Sequence, residues 1–124
     1  MANSTRTRVK DIMSAPLVTI APTATVREAA QIMREKDINA LVVTTTSRAI
    51  VTSTDVLDSV ANGDDVSETP VSEIMTTNVE TVTPDLFIEE VAAMMINYGI
   101  KHLPVVDDDY VGMVSSTDVA AQLT

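Results

Sequence analysis

A chain of 124 residues, 45% of them hydrophobic, can bury a core as one compact unit or as two small halves. Its 8 Lys and Arg against 18 Asp and Glu give a formal charge of −10, so it has few cations with which to meet a phosphate backbone or anionic lipid. Direct nucleic-acid binding and membrane association are excluded on that ground. No cysteine and one histidine exclude a disulfide framework, a thiolate or His-rich metal site and a Cys nucleophile.

No segment approaches the roughly 18 apolar residues of a membrane span, and a cytoplasmic location is expected. Lys10, Lys36 and Lys101 are the only lysines, and the acidic surface suits solubility in concentrated salt.

In chain order, Val18 to Ile20 is a short β-branched run stopped by Pro22, which cannot continue a ladder. Thr25 and Glu28 stand at capping-box spacing before Val26, Ala29, Ala30 and Met33, which predicts a helix. Leu41-Val42-Val43 is a continuous apolar run suited to a strand buried on both faces. The polar turn Thr44 to Arg48 leads into Ala49-Ile50-Val51, and Ser53-Thr54-Asp55 starts a second helix. Ala61-Asn62-Gly63-Asp64-Asp65 and Ser67-Glu68-Thr69-Pro70 read as turn and linker.

The same order then recurs. Val79 to Val82 predicts a strand, Asp85 a cap, and Ile88, Val91, Ala92 and Met95 a helical stripe. Leu103 to Val106 predicts a buried strand, Asp107-Asp108-Asp109 a turn, Tyr110 to Val114 the return strand, and Ser116-Thr117-Asp118 a helix start. Val9-Lys10-Asp11-Ile12-Met13 and Val71-Ser72-Glu73-Ile74-Met75 are offset by 62 residues, as are Ile38 to Val43 and Ile100 to Val105. Ser53-Thr54-Asp55-Val56 matches Ser116-Thr117-Asp118-Val119 at 63, so one extra residue lies between Val105 and Ser115. The expected division is repeat one over 8–60, a linker over 61–69 and repeat two over 70–124. The expected fold class is mixed α+β, two β-α-β-β-α repeats. Halves of this size are marginal alone, so they are expected to pack about a pseudo-two-fold axis that leaves two equivalent clefts.

These residues resemble the tandem cystathionine-β-synthase (CBS) domain pair, or Bateman module. The resemblance rests on Asp11-Ile12-Met13 and Glu73-Ile74-Met75, the Thr-Val/Ile-x-Pro segments, His102-Leu103-Pro104-Val105-Val106-Asp107 and Gly112-Met113-Val114-Ser115-Ser116-Thr117-Asp118. It implies a stand-alone, non-catalytic regulatory module that takes an adenosyl ligand (AMP, ADP, ATP or S-adenosylmethionine) as effector. It also implies association of two pairs into a disc. Carried over by position, Asp118 would accept ribose hydroxyls, Ser115 and Thr117 would meet a polar tail, and Thr83, Ile100, Lys101, His102 and Pro104 would line the site. Ala21, Ile38, Asn39, Ala40, Thr52, Thr54 and Asp55 hold the corresponding places in repeat one.

The chemistry is sound without the family. An ionised carboxylate is acceptor-only and can take both hydroxyls of a vicinal diol. Helix starts offer free N–H groups and a positive dipole end. Ser, Thr and Asp there also serve plain capping, with or without a ligand. Repeat one is the weaker site: it has Ala49 for Gly112, a shorter hairpin, and Ala21 for Thr83.

Asp107-Asp108-Asp109 lacks the spaced ligands and glycine of a cation loop, so no metal site is expected. His102 lies in no triad pattern, and the methionines read as core filler. From Leu86 to Ile96 the helical pattern is apolar on two sides, with Leu86 and Ala93 opposite the main stripe, which predicts a homodimer. The regulated partner is unknown from sequence. The alternative reading is a structural interaction module with vestigial clefts.

Overall fold

The computed structural model describes residues 6–15 and 17–122. In chain order it contains α1 (Val9–Ile12), β1 (Thr19–Ile20), α2 (Val26–Lys36), β2 (Ala40–Thr44), β3 (Arg48–Thr52) and α3 (Ser53–Ala61). A 3-10 turn (Val71–Glu73) precedes β4 (Thr76–Thr77), α4 (Ile88–Tyr98), β5 (His102–Asp107), β6 (Asp109–Ser115) and α5 (Ser116–Gln122). This is a mixed α+β fold.

The chain forms two compact units, residues 18–79 and residues 1–17 with 80–124. The packed units and the sequence repeats therefore differ at their leading segments. Val9 is fully buried in one core, with Ile12 and Met13 packed against it, beside Val91, Leu103, Val105 and Val114. Val71, Ile74 and Met75 do the same in the other, beside Ala29, Leu41, Val43 and Val51. The two Ile-Met motifs are thus plugs, each closing the unit built by the other repeat's strands and helices.

In unit 18–79 the sheet order is β1-β2-β3-β4. β2 pairs parallel with β1 and antiparallel with β3, and its first four residues are buried, as the unbroken apolar run requires. In the second unit β5 and β6 form the named sheet, flanked by single bridges, Val82 to Val105 and Ser14 to Met113.

The expected strand Val79 to Val82 is therefore reduced to one bridged residue, and a proline explains it. In the first unit Val42 N–H donates to Val18 O at 3.1 Å. The 62-residue offset puts Pro104 at the place of Val42, and proline has no N–H to give. Only the bonds around Val82 remain, from Val82 N to Pro104 O at 3.0 Å and from Val106 N to Val82 O at 2.8 Å.

The extra residue of repeat two is a β-bulge. Val105 faces Gly112 and Val106 faces Tyr110, so Val111 is the residue without an opposite number.

The starts of α2 and α4 differ in how they are capped. Thr25 caps α2 by accepting from Glu28 N at 3.1 Å. Asp85 does not cap α4; the helix begins after Phe87, whose N–H donates to Glu90 Oε1 at 3.1 Å. Residues 84–86 turn back before Phe87, and the segment is tied to the leading residues by backbone bonds, from Lys10 N to Pro84 O, Val9 N to Leu86 O and Ile88 N to Thr7 O. Asp85 meets Lys10 at 3.5 Å instead. Leu86 likewise precedes α4 and packs on the core, so it is not on the helix's opposite face. Among the described residues no helix is long and apolar enough to cross a membrane.

Candidate functional site

Strand pairing carries the candidate residues together in each unit. His102 lies opposite Ser115, so the start of β5 meets the end of β6 just where α5 begins. Ser116 N donates to Lys101 O at 2.8 Å, which fastens the segment before β5 to that helix start. The first unit repeats this with Ala40 opposite Thr52 and Ser53 N bonded to Asn39 O at 2.9 Å. Ile100, Lys101, His102, Ser115, Thr117 and Asp118 thus form one neighbourhood; Ile38, Asn39, Ala40, Thr52, Thr54 and Asp55 form the other.

Each helix start is a closed capping box. Ser115 N donates to Asp118 Oδ2 at 2.9 Å and Asp118 N donates to Ser115 Oγ at 3.1 Å. Thr52 N donates to Asp55 Oδ2 at 2.9 Å and Asp55 N to Thr52 Oγ1 at 3.3 Å. One difference matters chemically. The Thr52 hydroxyl also donates to Asp55 Oδ2 at 3.1 Å, turning its proton inward. Among the described residues the Ser115 hydroxyl makes no such donation, so its proton is available to a ligand.

Capping leaves each carboxylate with capacity. A carboxylate has about four acceptor directions, and the cap uses Oδ2 of Asp118, leaving Oδ1 open among the described residues. Asp118 and Ser115 are half-buried, while Lys101 and Thr117 are exposed. Lys101 gives the second unit a cation where the first has Asn39.

Some expected members stand apart. Val82 bridges Val105, so Thr83 follows toward Val106, about four residues or ~13 Å along β5 from His102. Ala21 is displaced in the same way, because Ile20 faces Val43 while Ala40 begins the strand. Pro104 is fully buried and serves the core, its carbonyl accepting from Val82. Gly112, absent from repeat one, has a packing cause. A Cβ there would lie 2.7 Å from Ser14 O and 2.9 Å from Met13 Sδ, so the leading segment requires glycine.

A cavity of about 260 Å³ opens in the first unit between α2 and α3, lined chiefly by Ala30, Met33, Arg34, Asp37, Ser53 and Val56. Ile38 and Asn39 also reach it, but Thr52, Thr54 and Asp55 do not, so it lies on the other side of the α3 start. Residues 30, 33, 34 and 37 share one helical stripe, a spacing already present in the sequence. Among the described residues no group of three or more His, Cys, Asp or Glu could hold a metal ion.

The CBS domain family matches residues 9–62 and 71–124. The chain belongs to that family. It is 34% identical over 116 residues to the CBS domain-containing protein YhcV of Bacillus subtilis, covering 90% of this chain and 82% of that one. It is 36% identical over 119 residues to L-aspartate semialdehyde sulfurtransferase of Methanocaldococcus jannaschii, spanning 92% of this CBS chain but only 23% of the enzyme. Among solved structures it resembles the CBS domain pair of protein MJ0100 in complex with 5′-methylthioadenosine and S-adenosyl-L-methionine. The TM-score is 0.86 at 35% identity, covering 96% of this chain and 97% of that one. The hexameric CBS-CP12 protein from bloom-forming cyanobacteria gives a TM-score of 0.91 at 30% identity, covering 97% and 74%.

Proposed function

We propose that this CBS pair is a non-catalytic sensor that binds an adenosyl ligand through the neighbourhood of Asp118. The carrying observation is the Asp118 carboxylate itself. The capping box fixes its direction through Oδ2, so Oδ1 and the remaining lone pairs can accept a ribose diol without the side chain having to be ordered first. The Ser115 hydroxyl proton and the Lys101 cation stand ready for a polar tail, and Ile100 with its backbone for the base. The solved pair that holds 5′-methylthioadenosine and S-adenosyl-L-methionine supports the ligand class. AMP, ADP and ATP remain in the same class. The net charge of −10 favours the cationic sulfonium or a monophosphate over a triphosphate.

The first unit, with Asn39 for Lys101 and the Thr52 proton turned inward, is the weaker site. Ligand binding would bias the shape of a self-associated pair, and so a partner protein, only through different affinity for two shapes. Because both capping boxes are complete without a ligand, a purely structural interaction module is the second reading. Isothermal titration calorimetry of the chain with AMP, ADP, ATP, 5′-methylthioadenosine and S-adenosylmethionine decides. Heat with at least one, lost in Asp118→Asn, supports the sensor; silence with all five leaves the interaction module.

A further inference from the structure

Asn62 is followed by Gly63 in the exposed turn that ends α3, and no other asparagine of the chain has glycine after it; the rest precede Ser4, Ala40, Val79 and Tyr98. A backbone nitrogen can attack the carboxamide carbon of the asparagine before it and close a five-membered ring. Glycine, having no side chain, obstructs that approach least. Here a Cβ on Gly63 would meet nothing within 4 Å, so no neighbouring atom confines the turn.

Backbone bonds hold the reaction back. Gly63 N donates to Val60 O at 3.1 Å and Asp64 N to Ser59 O at 3.1 Å, with Gly63 at φ 84, which together make a Schellman cap. Asn62 has ψ −8, which turns the Gly63 nitrogen toward the Asn62 backbone nitrogen and away from the Asn62 side chain. Ring closure needs that nitrogen rotated over Cβ and released from Val60. A side-chain bond locks the cap: Ser59, only 2% exposed, donates from Oγ to Asp64 Oδ2 at 2.7 Å. Residues 60–65 are nonetheless all exposed, and helix ends open more readily than cores.

We infer that Asn62-Gly63 is a site of spontaneous covalent modification whose rate is set by the α3 cap. The Gly63 nitrogen gives its proton to solvent and bonds to Asn62 Cγ. The Cγ–N bond then breaks, and the side-chain nitrogen takes up a proton and leaves as ammonia. Water adds to one of the two ring carbonyls. Opening on one side leaves aspartate at 62; opening on the other leaves isoaspartate, whose main chain runs through Cβ and Cγ. The inference is independent of the ligand.

Position gives the modification its effect. Beyond the cap the chain forms a strap to the start of α2, where Thr69 O accepts from Val26 N at 2.9 Å and Val66 O from Arg27 N at 3.0 Å, and it then delivers Val71 to the core. Isoaspartate adds one carbon to the main chain at the root of this strap. Either product adds a carboxylate at the negative end of α3, where Asp58, Asp64 and Asp65 already stand.

Peptide mapping by mass spectrometry follows each asparagine of the full chain at mildly alkaline pH, folded in buffer and unfolded in guanidinium chloride, with isoaspartyl methyltransferase labelling to count isoaspartate. Asn62 should convert well ahead of Asn39, Asn78 and Asn97 in the unfolded chain, and many-fold more slowly in the folded one. Ser59→Ala removes the lock and should raise the folded rate about fivefold, the equilibrium worth of one hydrogen bond, with the unfolded rate unchanged. Asp64→Ala breaks the same bond from the exposed side and replaces it where Ser59→Ala shifts the thermal midpoint, each folded rate being divided by that variant's own unfolded rate. Unfolded chain in which Asn62 is no faster than the other three overturns the site. Equal rates folded and unfolded, or a folded rate that ignores both substitutions, overturn the control by the cap. The purified isoaspartate form should unfold at a lower temperature than Asn62→Asp, which carries the charge without the longer main chain; equal midpoints overturn the effect on the strap.

Discussion

Asp118 and Ser115 hold each other across the first turn of α5, each backbone N–H bonded to the other's side chain at 2.9 and 3.1 Å. The carboxylate proposed to accept a ribose is therefore also the far half of a capping box, and alanine there tests both roles at once. Asp118→Ala should cost about 1 kcal/mol of stability through the lost bond from Ser115 N–H, half of the capping box. Asp118→Asn keeps an acceptor for Ser115 N–H but gives up the charge and much of the spare acceptor capacity. It should leave the thermal midpoint nearly unchanged while weakening adenosyl-ligand affinity by roughly ten- to a hundredfold, the worth of a charged hydrogen bond. Calorimetry and a thermal scan on the same sample separate the roles. Asp55→Asn should change affinity less.

Gly112→Ala should destabilise the chain by about 1–3 kcal/mol, because a Cβ placed 2.7 Å from the Ser14 carbonyl pushes on backbone that Met113 bonds at both ends. Urea unfolding measures it. A change below a few tenths of a kcal/mol would mean that the leading segment is not seated against β6.

Asp37 ends α2 at φ 53, a left-handed conformation that Gly99 occupies at φ 65 after α4. The side chain strains the backbone there and places a negative charge at a negative helix end. Asp37→Gly should raise stability by roughly 0.5–1 kcal/mol in the same assay.

Two guanidinium groups lie against the Phe87 ring, Arg6 at 3.8 Å and Arg8 at 4.4 Å from its centroid. Arg6 also pairs with Glu89 at 3.3 Å and Arg8 donates to Asp85 O at 2.7 Å. These contacts hold the leading segment onto its unit. Phe87→Ala should speed tryptic cleavage after Arg6 and Arg8 with little change in the global unfolding midpoint. Unchanged cleavage would show that the backbone bonds of residues 7–10 suffice alone.

The helix starts show how far local pattern reaches. Thr25 was legible as a cap because its hydroxyl and Glu28 sit at the required spacing, whereas Asp85 offered the same chemistry and was set aside by pairing with residues 7–10. Pro104 was visible in the sequence, but its effect on the Val82 segment depends on which strand lies beside it. The pair Ser115 and Asp118 was readable as both cap and acceptor. That Thr83 falls away from them, and that Pro104 is spent in the core, follows from register.

Composition, the 62-residue repeat and the motif at Ser115 to Asp118 by themselves determined the α+β class, the family and the residues worth testing, because these depend on side-chain chemistry and short spacing. Tertiary structure decided which unit each Ile-Met plug closes, why glycine stands at 112, and where the groove beside Arg34 opens. Those depend on contacts between residues far apart in the chain, and a spacing of three or four residues carries no information about them.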